Sequence, residues 1–549
     1  MNEGNKHRAL AAIPLWVFTA LAIGVAAGFA IRSFTSSKPI LQPMGKVGEI
    51  EEILHFVKEK YVDTVNVDDL ENMAISKTLE GLDPHSSYIP ASRMAEELED
   101  IRGEYDGVGI EFYILEDTIS VVTTTSGGPS EAVGIRSGDK IVTVNDSTVA
   151  GNGITNTQVL KLLKGKRNTK VNVGIKRTGV EDLIGFTITR APIKLKSVDA
   201  AYMLNNNTGI IKVNTFSERT YQEFRISLEK LIQSGMENLI IDLRGNGGGI
   251  MREALAMLDE VIDGNKSLLK IEGRKYGVEE YLAERPGAFE AGRLAILIDE
   301  GSASASEIVA GAVQDWDRGV IIGRRSFGKG LVQQPYELRD GSSLHLTIAR
   351  YYTPSGRSIQ RSYENGNQEY YDDFYSRYGS GELLSADSIK LDSALLKYTQ
   401  ISKRPVYGGG GIVPDFFVGV DTVGNNRFLQ EVSINSIIPQ FTYDFYSDNI
   451  EMFNGFEELS EFENQFFVTN STYNDFVDLA TSRLKNKTFS DRDIAMSKQE
   501  ISQTIKALVA KQKFGNKGLY TILDDDDDAI AKAMEVFRGE DYKLALAEY

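Results

Sequence analysis

Three short segments carry side chains and backbone whose types and spacing suit acyl transfer. The first is Gly301-Ser302-Ala303-Ser304-Ala305-Ser306-Glu307. It follows the apolar run 294–298 and precedes Ile308, Val309, Ala312 and Val313 at helical spacing. A serine at such a strand–turn–helix junction lies beside a helix N-terminus, where unpaired N–H groups and the helix dipole favour an alkoxide or oxyanion. An N-cap serine, or simple packing of small residues, reads the same way. The second segment is Ser326-Phe327-Gly328-Lys329-Gly330-Leu331-Val332-Gln333-Gln334. Residues 331–338 read as a strand, and on a strand Lys329, Leu331 and Gln333 would share a face. A partly desolvated lysine has a lowered pKa and can act as a general base, with Gln333 able to orient it; an ordinary surface lysine is the plain alternative. The third is the run Gly245-Asn246-Gly247-Gly248-Gly249 after the apolar run 238–243. It can present backbone N–H groups unobstructed, as an oxyanion hole requires.

The second segment also imitates a phosphate-binding loop, since 323–329 reads G-x-x-x-x-G-K. Gly330 stands where that motif needs Ser or Thr, and a strand pattern follows instead of a helix. Nucleotide binding is therefore set aside.

These segments need a scaffold, and the sequence around them alternates apolar strands with helices from about 200 to 420, an α/β pattern. Strands are expected at 208–213, 238–243, 294–298 and 319–322, with helices at 221–233 and 251–262. Upstream, about 101–193 breaks into short β runs separated by turns, with a short helix at 156–163. There Gly107-Val108-Gly109-Ile110 can turn successive N–H groups toward a carboxylate, and a peptide can then add as an extra strand. Residues 46–80 carry two amphipathic helices, ending before Pro84.

The 549 residues suggest several domains. There is no cysteine, which excludes disulfides, thiolate metal sites and thiol nucleophiles, and the four scattered histidines argue against a multi-histidine metal site. Net charge is −18, which argues against nucleic acid as the main partner. From 441 onward there are 21 acidic and 12 basic residues, a net of −9, half the total excess. The run 524–528 is five aspartates, read as a solvated loop because it lacks a calcium-loop spacing. Residues 9–31 carry no charge and, as a helix, would span roughly 34 Å, enough to cross a bilayer. Lys6 and Arg8 precede them, so the expectation is an uncleaved signal anchor in the inner (cytoplasmic) membrane, with the remainder exported to the periplasm or extracytoplasmic space. A cleaved signal peptide is the rival reading.

The order GVGIEF, GGPSEAVGIRSGDKIVTVND and a short helix resembles a PDZ domain of the bacterial protease type, which holds free peptide C-termini. LDPHSSYI at 82–89, IIDLRGNGGG at 240–249, GSASASEIVAGAVQD at 301–315, GRRSFGKGLVQ at 323–333, RYYTPSGRSIQ at 350–360 and GGGGIVPD at 408–415 extend the match. Together they strongly resemble the carboxyl-terminal processing protease family, serine peptidases with a Ser–Lys dyad. The resemblance implies Ser304 as nucleophile, Lys329 as base and Gln333 as its support, with oxyanion donors from the N–H of Ala305 and of Gly248 or Gly249. It implies a more structural role for Asp315, peptide binding at Gly107 to Ile110, no metal and no cofactor. Substrates would be exported proteins or peptides with free, apolar C-termini. The family usually has proline where this chain has Gly247.

The expected fold is α/β and multidomain: cytoplasmic stub and transmembrane anchor at 1–32, tether at 33–45, helical region at 46–95 and β-rich PDZ domain at 96–193. A ClpP/crotonase-like peptidase core follows at 194–440, then an acidic, mostly helical extension at 441–549. That extension is a candidate for homodimer or adaptor contacts, though no residue pattern decides it. A catalytically silent PDZ scaffold at the envelope is the alternative function; the intact set of Ser304, Lys329 and Gln333 speaks against it.

Overall fold

Strands buried almost without interruption on both faces define the central sheet. In the computed structural model, which describes residues 48–422, 426–485 and 487–547, six strands lie side by side. They are Val198–Met203, Thr208–Val213, Asn238–Asp242, Arg293–Ile298, Val320–Gly323 and Phe416–Phe417. The first pair is antiparallel and every later pair parallel. Ile211, Leu239, Ile241, Ile296 and Ile321 point to one core, with helices Thr220–Gln233, Met251–Leu258 and Ala305–Asp315 packed on it. Ile210, Ile240, Ala295, Leu297 and Ile322 point to the other. Near-continuous apolar strands are what a sheet covered on both sides requires. A second sheet, with Ser343–Tyr352 between Leu331–Glu337 and Ser267–Gly273, carries the end of the lysine segment.

The layer on the second core comes from an unexpected place. Helix Asp528–Arg538 supplies Ala529, Ile530, Ala533, Val536 and Phe537, with Tyr542 beyond it. Residues 441–549 are therefore not one appendage, and 528–547 complete the α/β core. The expected boundary at 440 also falls inside a helix, Ile437–Asp448. The helical unit begins at Arg427–Ile434, because Phe428 and Val432 pack with Phe441, Phe462, Phe476 and Ile501.

The PDZ region forms as expected. Strands Ile110–Leu115, Thr118–Thr124, Lys140–Val144, Lys170–Lys176 and Ile184–Thr189 make an antiparallel sheet over Ile119, Val121, Val159 and Val173. Helix Asn156–Leu163 starts at Thr155 with a reciprocal capping box to Gln158. The chain enters and leaves this region through paired strands Glu104–Gly107 and Ala191–Lys194. The helical unit leans on it: the Tyr443 hydroxyl donates to the Asp139 carbonyl at 2.9 Å, and Lys511 and Arg483 pair with Glu111 and Glu116.

The chain divides after Lys77. In the first unit, helix Glu49–Lys60 forms with Ile50, Ile53 and Phe56 exposed. The expected anchor at 9–31 and tether at 33–45 lie outside the described residues. Among the described residues, no helix is long and apolar enough to cross a membrane.

Candidate active site

Ser304 sits where strand Arg293–Ile298 turns into helix Ala305–Asp315, with φ 53° and ψ −111°. Positive φ at a serine costs on the order of 1–3 kcal/mol, so the surroundings must hold it there. Glu307 does so. This fully buried carboxylate accepts the N–H of Ser304 at 2.9 Å and of Lys329 at 2.8 Å on one oxygen. Its other oxygen accepts the N–H of Gly328 at 2.7 Å and the Ser326 hydroxyl at 2.6 Å. Four donors on two oxygens leave no place for a carboxyl proton, so the ionised form fits. Burial nevertheless pushes Glu307 above its ordinary value, opposed by those hydrogen bonds. From the far side, the Tyr351 hydroxyl reaches the carbonyls of both Ser304, at 3.1 Å, and Lys329, its one proton serving both. One carboxylate and one phenol thus tie together the backbones of the two residues.

Lys329 is partly buried and lies in the irregular segment 324–330, not in a strand; the strand begins at Leu331. The shared face expected for Lys329 and Gln333 is therefore not a strand face. A ladder irregularity between Val332 and Gln333 further breaks the alternation. Burial lowers the Lys329 pKa, against the raising influence of Glu307 and then Asp83. Among the described residues, no hydrogen bond joins the Lys329 ammonium to Ser304 Oγ or to Gln333. Gln333 Nε2 instead donates to Thr347 Oγ1 at 3.3 Å, and Thr347 donates to Asp83 at 3.0 Å.

The glycine run meets the serine directly. A Cβ on Gly248 would lie 2.8 Å from Ser304 Cβ and 3.0 Å from the Ala305 nitrogen. Gly248's own N–H donates to Asn246 Oδ1 at 2.9 Å, so it is already engaged. The Asn246 amide is fixed in turn on the Val213 carbonyl at 2.8 Å. Among the described residues, the N–H groups of Gly249 and Ala305 have no acceptor. Between the two glycines, the geometry therefore favours Gly249 as partner to Ala305.

Asp315 is buried and lies 2.8 Å from the Arg357 guanidinium, away from the serine. In the PDZ region, Val108 is buried, and its carbonyl accepts the N–H and hydroxyl of Ser130. The N–H groups of Val108 and Gly109 have no acceptor among the described residues. Gly109 adopts φ 73°, and a Cβ there would press within 2.9 Å of Ile193.

The 82–89 motif reaches the same neighbourhood, which sequence reasoning missed. Asp83 accepts the N–H groups of His85 and Ser86, both at 2.8 Å, and the Ser86 hydroxyl. Although burial opposes it, these bonds hold the carboxyl below its ordinary value. His85 Nε2 sits 2.9 Å from the Tyr370 hydroxyl. Burial first, and the Lys329 charge second, push His85 down to about 3, so its ring is neutral at physiological pH. The signal for Glu307 was present in the serine segment as S-x-x-E, the capping-box spacing.

With this geometry in view, the comparisons are specific. A model described as Peptidase family S41 matches residues 207–366, one described as PDZ domain matches 107–185, and a family of unknown function (DUF8443) matches 428–515. The carboxy-terminal-processing protease of Bartonella bacilliformis is 33% identical over 314 residues, covering 56% of this chain and 71% of that protein. The chain belongs to the carboxyl-terminal processing protease family. Carboxy-terminal processing protease CtpA of Bacillus subtilis is 32% identical, over 58% of this chain and 67% of that protein. A probable CtpA-like serine protease of Staphylococcus aureus is 33% identical over 57% of this chain, which spans only 62% of that relative's length. Among solved structures, the photosystem II D1 C-terminal processing protease aligns at 30% identity with a TM-score of 0.34, over 57% of this chain and 85% of that one.

Proposed function

We propose that this chain is a membrane-anchored serine endopeptidase that processes or degrades exported proteins. Residues 9–31 would hold it in the inner membrane, and its PDZ region would recognise substrate C-termini. The observation that carries the catalytic reading is the Glu307 clamp, which fixes Ser304 and the pKa-lowered Lys329 in one frame.

In this reading Lys329, neutral when active, takes the proton from Ser304 Oγ as the oxygen attacks the scissile carbonyl. Hydrogen bonds of this kind are commonly loose without substrate and tighten in the reacting complex. The N–H groups of Ala305 and Gly249 supply donors for the tetrahedral oxyanion. Lys329 then returns the proton to the leaving amine. Water, deprotonated by the same lysine, releases the acyl group and regenerates Ser304. Gln333 acts at one remove, through Thr347 and Asp83, on the field around Lys329. The free N–H groups of Val108 and Gly109 suit a peptide carboxylate.

The test is cleavage of a peptide with an apolar C-terminus, and of casein, by the full chain. Ser304→Ala and Lys329→Ala should each abolish cleavage while the thermal midpoint stays near that of the parent. Undiminished turnover in either variant rules the dyad out. A parent protein that binds the peptide without cutting either substrate favours the silent scaffold.

A further inference from the structure

The helical unit that begins at Arg427 touches two bodies at once. Its helix Ile437–Asp448 meets the PDZ region at the turn 137–140. There the buried Tyr443 hydroxyl donates to the Asp139 carbonyl at 2.9 Å, and Asp444 stands 3.7 Å from Lys140. A Cβ on Gly138 would lie 3.0 Å from Ser447 Oγ, so the turn and the helix approach closely. The turn is itself held, because Arg177 donates to both Asp139 oxygens, at 2.7 and 2.8 Å. Lys511 and Arg483 add ion pairs to Glu111 and Glu116, on strand Ile110–Leu115 and just beyond it.

The same unit reaches the α/β core through helix Lys498–Leu523. Ile501, Ile505 and Val509 anchor its first half in the core of the unit. The helix breaks at Gly515, with φ 69° and ψ −159°, where the match to the family of unknown function also ends. Beyond the break, Asn516 Nδ2 and the Tyr520 hydroxyl donate to the two oxygens of Asp199, at 3.3 and 3.2 Å. The Lys212 ammonium lies 5.2 Å from the Tyr520 ring centre, and Asp524 accepts the Tyr202 hydroxyl. Asp199 and Tyr202 belong to strand Val198–Met203, at the edge of the sheet. The break is not a loose joint. A Cβ on Gly518 would fall 2.6 Å from the Ala510 carbonyl, so the two halves touch across it.

A second support lies elsewhere. The chain enters and leaves the PDZ region through the paired strands Glu104–Gly107 and Ala191–Lys194. Beside that stem, the Glu218 N–H donates to the Ile101 carbonyl at 3.0 Å. A domain held by one stem is expected to swing against its neighbour. One held at two separate places is not. We propose that the helical unit is a brace that fixes the PDZ region relative to the sheet carrying Ser304, so that a substrate held by its C-terminus is cut at a set distance from that end. The set distance rests on the peptidase activity proposed above; the brace itself does not. An extended peptide advances about 3.3 Å per residue, so a swing of about 10 Å would smear the cut over about three residues.

The absence of cysteine allows clean labelling. Lys170→Cys and Gln233→Cys, both at exposed positions, put one spin label on the PDZ region and one on the α/β core. In the full chain in detergent, the distance between labels should form one narrow distribution, unchanged by a peptide with a free apolar C-terminus. Tyr443→Phe combined with Lys511→Glu removes the buried hydroxyl and sets like charges at Glu111. Asp444→Lys, at a half-exposed position, sets like charges at Lys140. Each should broaden the distribution roughly twofold or more, since like charges repel across an interface. A broad distribution in the parent, a shift on adding peptide, or loosened variants as narrow as the parent overturns the brace. Mass spectrometry of the products from substrates of differing length should then give one cut position, counted from the C-terminus, in the parent and several in the loosened variants. The same single position in both overturns the set distance. A parent that cuts nothing while its label distance stays narrow removes the peptidase reading and the set distance with it, and supports the brace alone.

Discussion

Glu307 makes backbone placement and lysine electrostatics a single problem. Its carboxylate holds four donors and also raises the pKa of Lys329, while burial lowers it more strongly. In the proposed mechanism a neutral amine must accept the serine proton. The value of kcat/KM should therefore rise with pH and level off above the Lys329 pKa, with its inflection below the roughly 10.4 of a free lysine. A pH–rate profile of the peptide reaction checks this; an inflection at or above the free-lysine value contradicts it. Glu307→Gln removes the charge that opposes the depression, so the inflection should move to still lower pH. The amide also replaces one acceptor oxygen by a donor, leaving buried N–H groups facing it. Each such group costs about 1–3 kcal/mol. The thermal midpoint should fall, and kcat should drop by roughly tenfold or more while KM changes little, since the loss is one of positioning. A fall in stability alone, with kcat and the inflection unmoved, would reduce Glu307 to a structural cap.

The loops that flank the serine show what patterning can and cannot reveal. The order of strands and helices was legible because apolar runs such as 238–243 and 294–298 are long and end in glycine- or serine-rich turns. The serine junction was legible for the same reason. The strand from Leu331 was legible too, but the bulge between Val332 and Gln333, which breaks the face expected for Lys329 and Gln333, was not, because side-chain alternation does not reveal a slipped register. Nor was the convergence of Asp83 on Thr347, 264 positions away, since no local period encodes it. Gly247 turns one visible departure into a test. A Cβ there would meet nothing within 4 Å, and its N–H has no acceptor among the described residues. Proline removes only that N–H and narrows the unfolded ensemble, commonly worth about 0.4–1 kcal/mol. Gly247→Pro should therefore raise the thermal midpoint slightly and keep kcat within about twofold, in line with the family's proline. Gly249→Ala is the contrast: its Cβ would fall 2.2 Å from the Phe216 carbonyl, so peptide cleavage should be lost. Loss of activity in Gly247→Pro would mean that the loop needs glycine's freedom there.

At the scale of the whole molecule, residues 528–547 close one face of the sheet that carries the serine turn. The five aspartates, read from sequence as a solvated loop, form the turn that leads into helix Asp528–Arg538. Asp524 accepts the Tyr202 hydroxyl, and burial pushes its carboxyl up to about 6. Asp527 caps helix Asp528–Arg538 through the N–H groups of Ala529 and Ile530, and pairs with Arg244 at 2.7 Å. Arg244 opens the glycine run and is held by Asp242 at 2.8 Å, so the capping aspartate and the glycine run share one arginine. Composition could not show this, because a run of charge looks solvated until its partners, hundreds of positions away, are known. The apolar spacing of Ile530, Ala533, Val536 and Phe537 was visible, but not the sheet it would cover. Phe537 is buried against that sheet, so Phe537→Ala should cost about 3–5 kcal/mol, measured by urea unfolding. Its effect should reach the active site, because the sheet it supports ends in both the serine turn and the glycine run. Removing residues 528–549 strips helix Asp528–Arg538 and Tyr542 from the second face, and the remaining chain should aggregate or lose cooperative unfolding. A truncated protein that stayed monomeric and cleaved peptide at the parent rate would show that the core is complete without this helix.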